Sequence, residues 1–315
     1  MTTEQLMQNL DKFTPAWTGS WEPAPGMLDF KEKWDSFHNP TGRLMVCAHR
    51  GDINIYYPEN SLEGFLAAIL AGADMLEVDV HTTADGELVL MHDNTLTRTT
   101  NLSALREAGE NWMPESDEIH DWTLEQIRRL RLLFKGEVTE CAVPTLREVI
   151  TIAKDRAFVT LDKIDCFKWE DAYALIKEQH AYRTVLIPYN YSLEEVWKIQ
   201  CQVRRETGCN LPFFAAVGID GGIWSVKKLY EASTFLKIHN MPPILRGGYH
   251  NLEDVEKLKP IISELSKTHR IYAESMGKYR DNPETWQSML DMGYNVFMGN
   301  RLYDFLAMVK ERHFS

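Results

Sequence analysis

Cysteine is sparse in this 315-residue chain, and the five present, Cys47, Cys141, Cys166, Cys201 and Cys209, include no C-x-x-C pair and no zinc spacing. A disulfide framework and a structural zinc site are therefore disfavoured, and reduced thiols are expected. Basic charge is also short: 34 Lys and Arg against 46 Asp and Glu leave a formal net charge of −12. A nucleic-acid binder neutralises phosphates with a basic stripe, and this chain has neither a basic run nor a basic balance, so no nucleic acid is expected as a partner. Long apolar runs are missing too. None approaches the roughly 18 to 20 residues of a membrane span, and Met1 to Phe13 lacks the basic start and apolar stretch of a secretory signal. The expectation is a soluble, cytoplasmic protein with no integral membrane segment. Any phosphate it handles must be drawn by a few placed cations or by a metal, not by the field of the whole molecule.

What remains is the composition of an ordinary globular enzyme, 44% apolar and 25% charged. Short β-rich runs recur at Leu44 to Ala48, Met75 to Val80, Phe158 to Leu161, Val185 to Pro188, Phe213 to Val217, Pro243 to Leu245, Ile271 to Ala273 and Asn295 to Phe297. Amphipathic stretches alternate with them. In Ser61 to Leu70, for example, Leu62, Phe65, Leu66 and Ile69 share one helical face. The other stretches are Leu193 to Arg205, Ser225 to His239, Leu252 to Thr268, Pro283 to Met292 and Leu302 to Glu311. Eight such units predict an α/β fold, a TIM (β/α)8 barrel, with a doubly wound open sheet as the rival.

Glu87 to Met91 follows Asp85-Gly86 and reads as a β-hairpin insertion after strand 2. Residues 1–42, with Trp17, Trp21 and Trp34 among Pro and Gly, read as an N-terminal extension on the outside or bottom of a barrel domain covering 43–315. Asn101 to Asp121 reads as a long polar loop of the kind that forms a lid or specificity wall.

Chemistry-bearing residues gather at the ends of the first strands. The first run ends in Ala48-His49-Arg50-Gly51, and the next helix begins after Pro58-Glu59-Asn60-Ser61. In Met75-Leu76-Glu77-Val78-Asp79-Val80, strand alternation puts Glu77 and Asp79 on one face. Two such carboxylates near a core stay ionised together when a cation lies between them, so a hard divalent ion with oxygen ligands is the simple solution. The hairpin then delivers His92-Asp93. Each element alone is weak, since a lone histidine is more often packing than catalysis and an E-x-D pair more often a solvated face. Their conjunction at strand ends is what carries information.

Taken in order, His49-Arg50-Gly51, Pro58-Glu59-Asn60-Ser61, Gly72-Ala73-Asp74, Glu77-Val78-Asp79-Val80, Thr82-Thr83-Ala84-Asp85-Gly86 and His92-Asp93 with Leu96-Thr97-Arg98-Thr99-Thr100 resemble the signature of the glycerophosphodiester phosphodiesterase family. The resemblance implies a TIM barrel, one divalent cation and hydrolysis of a small-molecule glycerophosphodiester. It also implies His49 and His92 as the acid and base pair, Glu77 and Asp79 as metal ligands, and Arg50 as a phosphate clamp. Glu59 and Asn60 could orient His49 or the metal, and they equally suit a helix start. Independent chemistry agrees: two imidazoles can move the protons of phosphodiester cleavage, while a cation and an arginine hold the charge that grows on the phosphoryl oxygens.

After Glu148 the resemblance thins. Where the family has Glu-x-Lys, this chain reads Thr160-Leu161-Asp162-Lys163-Ile164-Asp165. Asp162 is expected as third metal ligand and Lys163 as a phosphate contact, which requires the strand to end or bulge between them. Glu274 is the competing carboxylate. Met298-Gly299-Asn300-Arg301 replaces the family's usual Thr-Asp. Tyr189, Tyr249 and His250 could shape a leaving-group pocket or pack as loop residues, and Phe213-Phe214 are expected in the core. Oxygen-only ligands point to Mg²⁺ or Ca²⁺. Two alternatives stand beside hydrolysis: a catalytically silent barrel binding phosphodiesters or lipid head groups, and a phospholipase-type lyase giving a cyclic phosphate. The leaving alcohol and the oligomeric state are not legible.

Overall fold

Several helices in this chain start and stop at residues that satisfy the free backbone groups of their ends. Ser61 accepts from Gly64 N and opens the helix Leu62–Ala71, and Gly72, at a left-handed φ of 104°, closes it. Thr145 with Glu148 and Ser192 with Glu195 form reciprocal capping boxes for Leu146–Ala153 and Leu193–Thr207. The computed structural model describes residues 29–313 apart from 52, 54, 189–190, 217–218, 221–222, 225, 240–243, 247–251 and 276–280.

The strands in chain order are β1 (Met45–His49), β2 (Met75–Thr82), β3 (Leu88–Leu90), β4 (Leu133–Phe134), β5 (Glu137–Val138), β6 (Phe158–Asp162), β7 (Ala215–Ala216), β8 (Ile219–Asp220), β9 (Ile223–Trp224), β10 (Ile244–Arg246), β11 (Arg270–Ser275) and β12 (Val296–Gly299). The parallel pairs run from β7 through β10, β11, β12, β1 and β2 to β6. Two parallel bridges, Val159 with Val185 and Ile187 with Phe213, carry the ring from β6 back to the start of β7. The result is a closed eight-membered parallel barrel. Two members are thinner than the sequence suggests: 185–188 contributes only bridges, and the run from Phe213 keeps two strand residues.

Alternation along the strands sorts side chains into two layers. Val46, Ala48, Leu76, Val78, Val159 and Leu161 pack outward against the helices, whereas Met45, Cys47, Met75, Phe158, Leu186, Phe214, Tyr272, Val296 and Met298 fill the barrel interior. Phe30 and Phe37, from the helix Phe30–His38, join that interior cluster and plug its lower end. The helix is pinned by Lys33, fully buried, whose Nζ donates to Ala73 O at 2.7 Å and Arg156 O at 2.9 Å. Of the expected N-terminal extension, residues 1–28 lie outside the described residues.

The hairpin after strand 2 forms as the Asp85-Gly86 turn requires, with β3 antiparallel to β2 through Val80–Leu90 and Thr82–Leu88. The expected polar loop at Asn101 to Asp121 is corrected: it contains the helix Leu102–Glu107 and a 3-10 turn at Ile119–Asp121. Leu102 and Ile119 enter a separate core with Val89, Leu96, Trp122, Ile127, Leu130 and Val143. Apart from Val89 on the hairpin, these residues follow no continuous helical or strand period, and three-dimensional packing brings them together.

Candidate active site

The odd positions of β2 point into the barrel, so Glu77 and Asp79 follow Met75 upward toward the C-terminal mouth. On β6 the inward series is Phe158, Thr160 and Asp162, and Asp79 pairs in register with Asp162. Glu77, Asp79 and Asp162 consequently offer oxygens all within 4.8 Å of one another. Burial, and the nearby Asp79 and Asp162 charges, push the Glu77 carboxyl well above its ordinary range, and burial raises Asp79 as well. A set made only of carboxylate oxygens suits a hard divalent ion. Glu274, the rival third ligand, lies on β11 in register with Met298; its side chain is outside the described residues, as are Tyr189, Tyr249 and His250. Phe213 and Phe214 are buried in the core.

His49 closes β1 at the same mouth and is 7% exposed. Its Nδ1 lies 2.7 Å from Asn300 Oδ1. An amide oxygen only accepts, so Nδ1 carries the hydrogen and Nε2 keeps its lone pair. That Nε2 lies 3.8 Å from Glu77 Oε2. Burial, helped by the Arg50 charge, draws the imidazole pKa down to about 4. Asn300 itself is set by Asp281, whose Oδ2 accepts the Asn300 backbone N–H at 2.6 Å.

The chain turns sharply after His49. Arg50 has φ 51° and Gly51 φ 76°, and a Cβ on Gly51 would stand 2.9 Å from the Phe65 ring. This turn sends the Arg50 N–H to Glu77 Oε2 at 3.0 Å and brings its Nε to 3.3 Å from Asp79 Oδ2. Arg50 Nη1 also reaches Glu59 Oε1 at 3.4 Å. Asn60, at φ 54°, donates to Asp79 Oδ2 at 2.8 Å and so steadies that carboxylate.

His92, just past β3, arrives from the other side. Its Nδ1 is 2.7 Å from Asp93 Oδ1, and its Nε2 is 3.3 Å from Lys163 Nζ. β6 ends at Asp162, and Lys163 takes φ 63°, so both residues address the mouth despite being adjacent. Eight of the residues singled out in the sequence, His49, Arg50, Glu59, Glu77, Asp79, His92, Asp162 and Lys163, are thus gathered at one end of the barrel. Sequence reasoning gave no role to Asn300, Asp93 or Arg98. Asp93 adjoins its histidine and could have been found, whereas Asn300 is 251 positions from His49 and has no local signal.

Residues 49–178 match the family model described as the glycerophosphoryl diester phosphodiesterase family. A glycerophosphodiester phosphodiesterase of Caldanaerobacter subterraneus subsp. tengcongensis is 38% identical over 119 residues, covering 37% of this chain and 43% of that protein. Glycerophosphodiester phosphodiesterase 1 of Rattus norvegicus is 36% identical over 136 residues, covering 42% and 35%. The aligned part therefore spans half or less of these curated relatives. In three dimensions the likeness is wider. A glycerophosphoryl diester phosphodiesterase of Parabacteroides distasonis superposes with TM-score 0.66 at 20% identity, over 93% of this chain and 94% of that one. An Oleispira antarctica phosphodiesterase, solved in complex with the product sn-glycerol-3-phosphate, gives 0.56 at 18% identity over 85% and 97%. The two structures share the barrel with this chain.

Proposed function

We propose that this chain, whose residues 49–178 match the glycerophosphoryl diester phosphodiesterase family model, hydrolyses glycerophosphodiesters to sn-glycerol 3-phosphate and an alcohol. The observation that carries the reading is the convergence of two differently held imidazoles, two cations and three clustered carboxylates at one barrel mouth. The Oleispira phosphodiesterase, which shares the barrel, holds the product assigned here.

Glu77, Asp79 and Asp162 would hold one divalent cation, Mg²⁺ or Ca²⁺ by their all-oxygen chemistry. When bound, it would offset charge growing on the phosphoryl oxygens. Arg50 and Lys163 hold the phosphodiester oxygens, and Glu59 acts on the substrate through Arg50. His49, neutral and with its Nε2 lone pair directed by Asn300, takes the proton of the attacking water as a P–O bond forms. His92, its Nδ1–H kept in place by Asp93, takes up a solvent proton at Nε2, the atom that accepts from Lys163 Nζ until that lysine turns to the phosphodiester, and delivers it to the leaving alkoxide as the ester P–O bond breaks. The chain also includes, in this reading, an N-terminal extension over 1–42 whose helix Phe30–His38 plugs a barrel domain of 43–315.

The test is a panel of glycerophosphodiesters incubated with the full chain and either Mg²⁺ or Ca²⁺, with products followed by phosphorus NMR. A glycerol phosphate monoester carrying solvent oxygen is expected. A cyclic phosphate as first product would replace hydrolysis by the lyase route, and binding without turnover would make this a silent barrel.

A further inference from the structure

Arg98 belongs to the stretch Leu96-Thr97-Arg98-Thr99-Thr100, to which the reaction above gives no task. Its backbone is held from beneath: Thr100 Oγ1 donates to Leu96 O at 2.6 Å, and Thr99 Oγ1 to Met91 Sδ at 2.7 Å, with both threonines buried. The side chain then spans two carboxylates. Nη2 donates to Glu59 Oε1 at 2.7 Å and Nη1 to Glu59 Oε2 at 3.3 Å. Nε donates to Asp93 Oδ2, and Nη2 to Asp93 Oδ1 at 3.1 Å. Each carboxylate has a second duty. Asp93 holds His92 Nδ1 and Glu59 meets Arg50 Nη1. The contacts run without a break from His92 through Asp93, Arg98 and Glu59 to Arg50.

We propose that Arg98 is a positioning residue that locks the His92–Asp93 pair and the Arg50–Glu59 pair into one register, so that the proton-carrying imidazole and the phosphate-holding guanidinium address the same phosphodiester. The inference rests on the hydrolase reading for its purpose, though not for its geometry. A planar guanidinium with five N–H donors can serve two carboxylates at once; a lysine ammonium, a compact point charge, cannot keep both forks. The Arg98 hydrogen bond is also the foremost influence holding the Asp93 carboxyl down at about 2, which keeps it an acceptor for His92. Arg98 is itself 47% exposed, so truncating it opens no cavity in the core.

The experiment compares wild type, Arg98→Ala, Arg98→Lys and a control, Arg147→Ala, which breaks an exposed two-pronged pair with Glu178 remote from the mouth. Two readouts are used: kcat and KM on a glycerophosphodiester, and the Nδ1–H resonance of His92 in histidine labelled with ¹⁵N, assigned by its loss in His92→Asn. Arg98→Ala should lower kcat by about 10- to 100-fold, taking as the scale the cost of removing an outer-shell partner of a metal-ligating histidine. Arg98→Lys should recover little of it, and millimolar guanidinium should restore part of the rate of Arg98→Ala. The His92 resonance should move in both Arg98 variants and stay fixed in Arg147→Ala. An unmoved resonance in Arg98→Ala overturns the proposal whatever the rate does, and so does a wild-type kcat in that variant. If the wild type hydrolyses no glycerophosphodiester, the functional reading fails, and the resonance still decides the role of Arg98.

Discussion

At the scale of single residues, the two histidines differ in what holds them, and in the proposed reaction this difference would divide their tasks. His49 leans on a neutral amide, Asn300, while His92 leans on the carboxylate of Asp93. If the base and acid steps each contribute about 10²- to 10⁴-fold, His49→Ala or His92→Ala should each raise the barrier by roughly 3 to 5 kcal/mol without unfolding the chain. Steady-state kinetics on folded variants checks this, and an undiminished rate would remove that residue from the mechanism. Asn300→Ala should lose part of the same effect, because the His49 ring is then free to choose its tautomer. Much of this was legible beforehand: strand alternation fixes Glu77 and Asp79 on one face, and His49 and His92 fall at strand ends. Asn300 was not, since only barrel closure brings β12 beside β1. Lys163 was partly legible, as a lysine one position too early, whose left-handed φ the sequence could not supply.

At the scale of elements, the helix Phe30–His38 is held by a buried ammonium. Lys33 is fully buried among backbone carbonyls, and burial lowers its pKa from 10.5 to about 8. The sign follows from proton counting: between pH 8 and 10.5 the unfolded chain holds this proton and the folded chain does not, so stability rises with pH across that window. Relative to Lys33→Met, wild type should therefore gain in denaturant midpoint from pH 8 to 10.5. A difference that is flat or falling across the window contradicts the assignment. The insertion between β3 and β6 has a core of its own, centred on Trp122, which is fully buried and donates from Nε1 to Ser116 O at 2.8 Å. Trp122→Ala should cost about 3 to 5 kcal/mol of stability, measured by chemical denaturation. This core escaped sequence reading because its apolar residues follow no single helical or strand period over their length, whereas the hairpin before it announced itself through Asp85-Gly86.

At the scale of the whole molecule, a net charge of −12 gives no general attraction for an anionic diester, so under the proposed function capture would fall to Arg50, Lys163 and a cation at the acidic cluster. A ligand bound only by the folded state stabilises it by mass action, about 2.7 kcal/mol at one hundred times its dissociation constant. Mg²⁺ or Ca²⁺ should accordingly raise the melting temperature of wild type by a few degrees and leave Glu77→Gln largely unmoved. Among the described residues no helix is long and apolar enough to cross a membrane. The barrel was legible from the strand and helix alternation, yet its closure rests on single bridges at Val185 and Ile187 that no periodicity announces.

The most direct test of the account is the initial rate of glycerophosphodiester hydrolysis as a function of free Mg²⁺ or Ca²⁺, in wild type and in Asp162→Asn. The rate should vanish in chelator and return saturably with the ion in wild type, and the variant should require far more ion to respond. Full activity in chelator, or an identical ion dependence in Asp162→Asn, would contradict it.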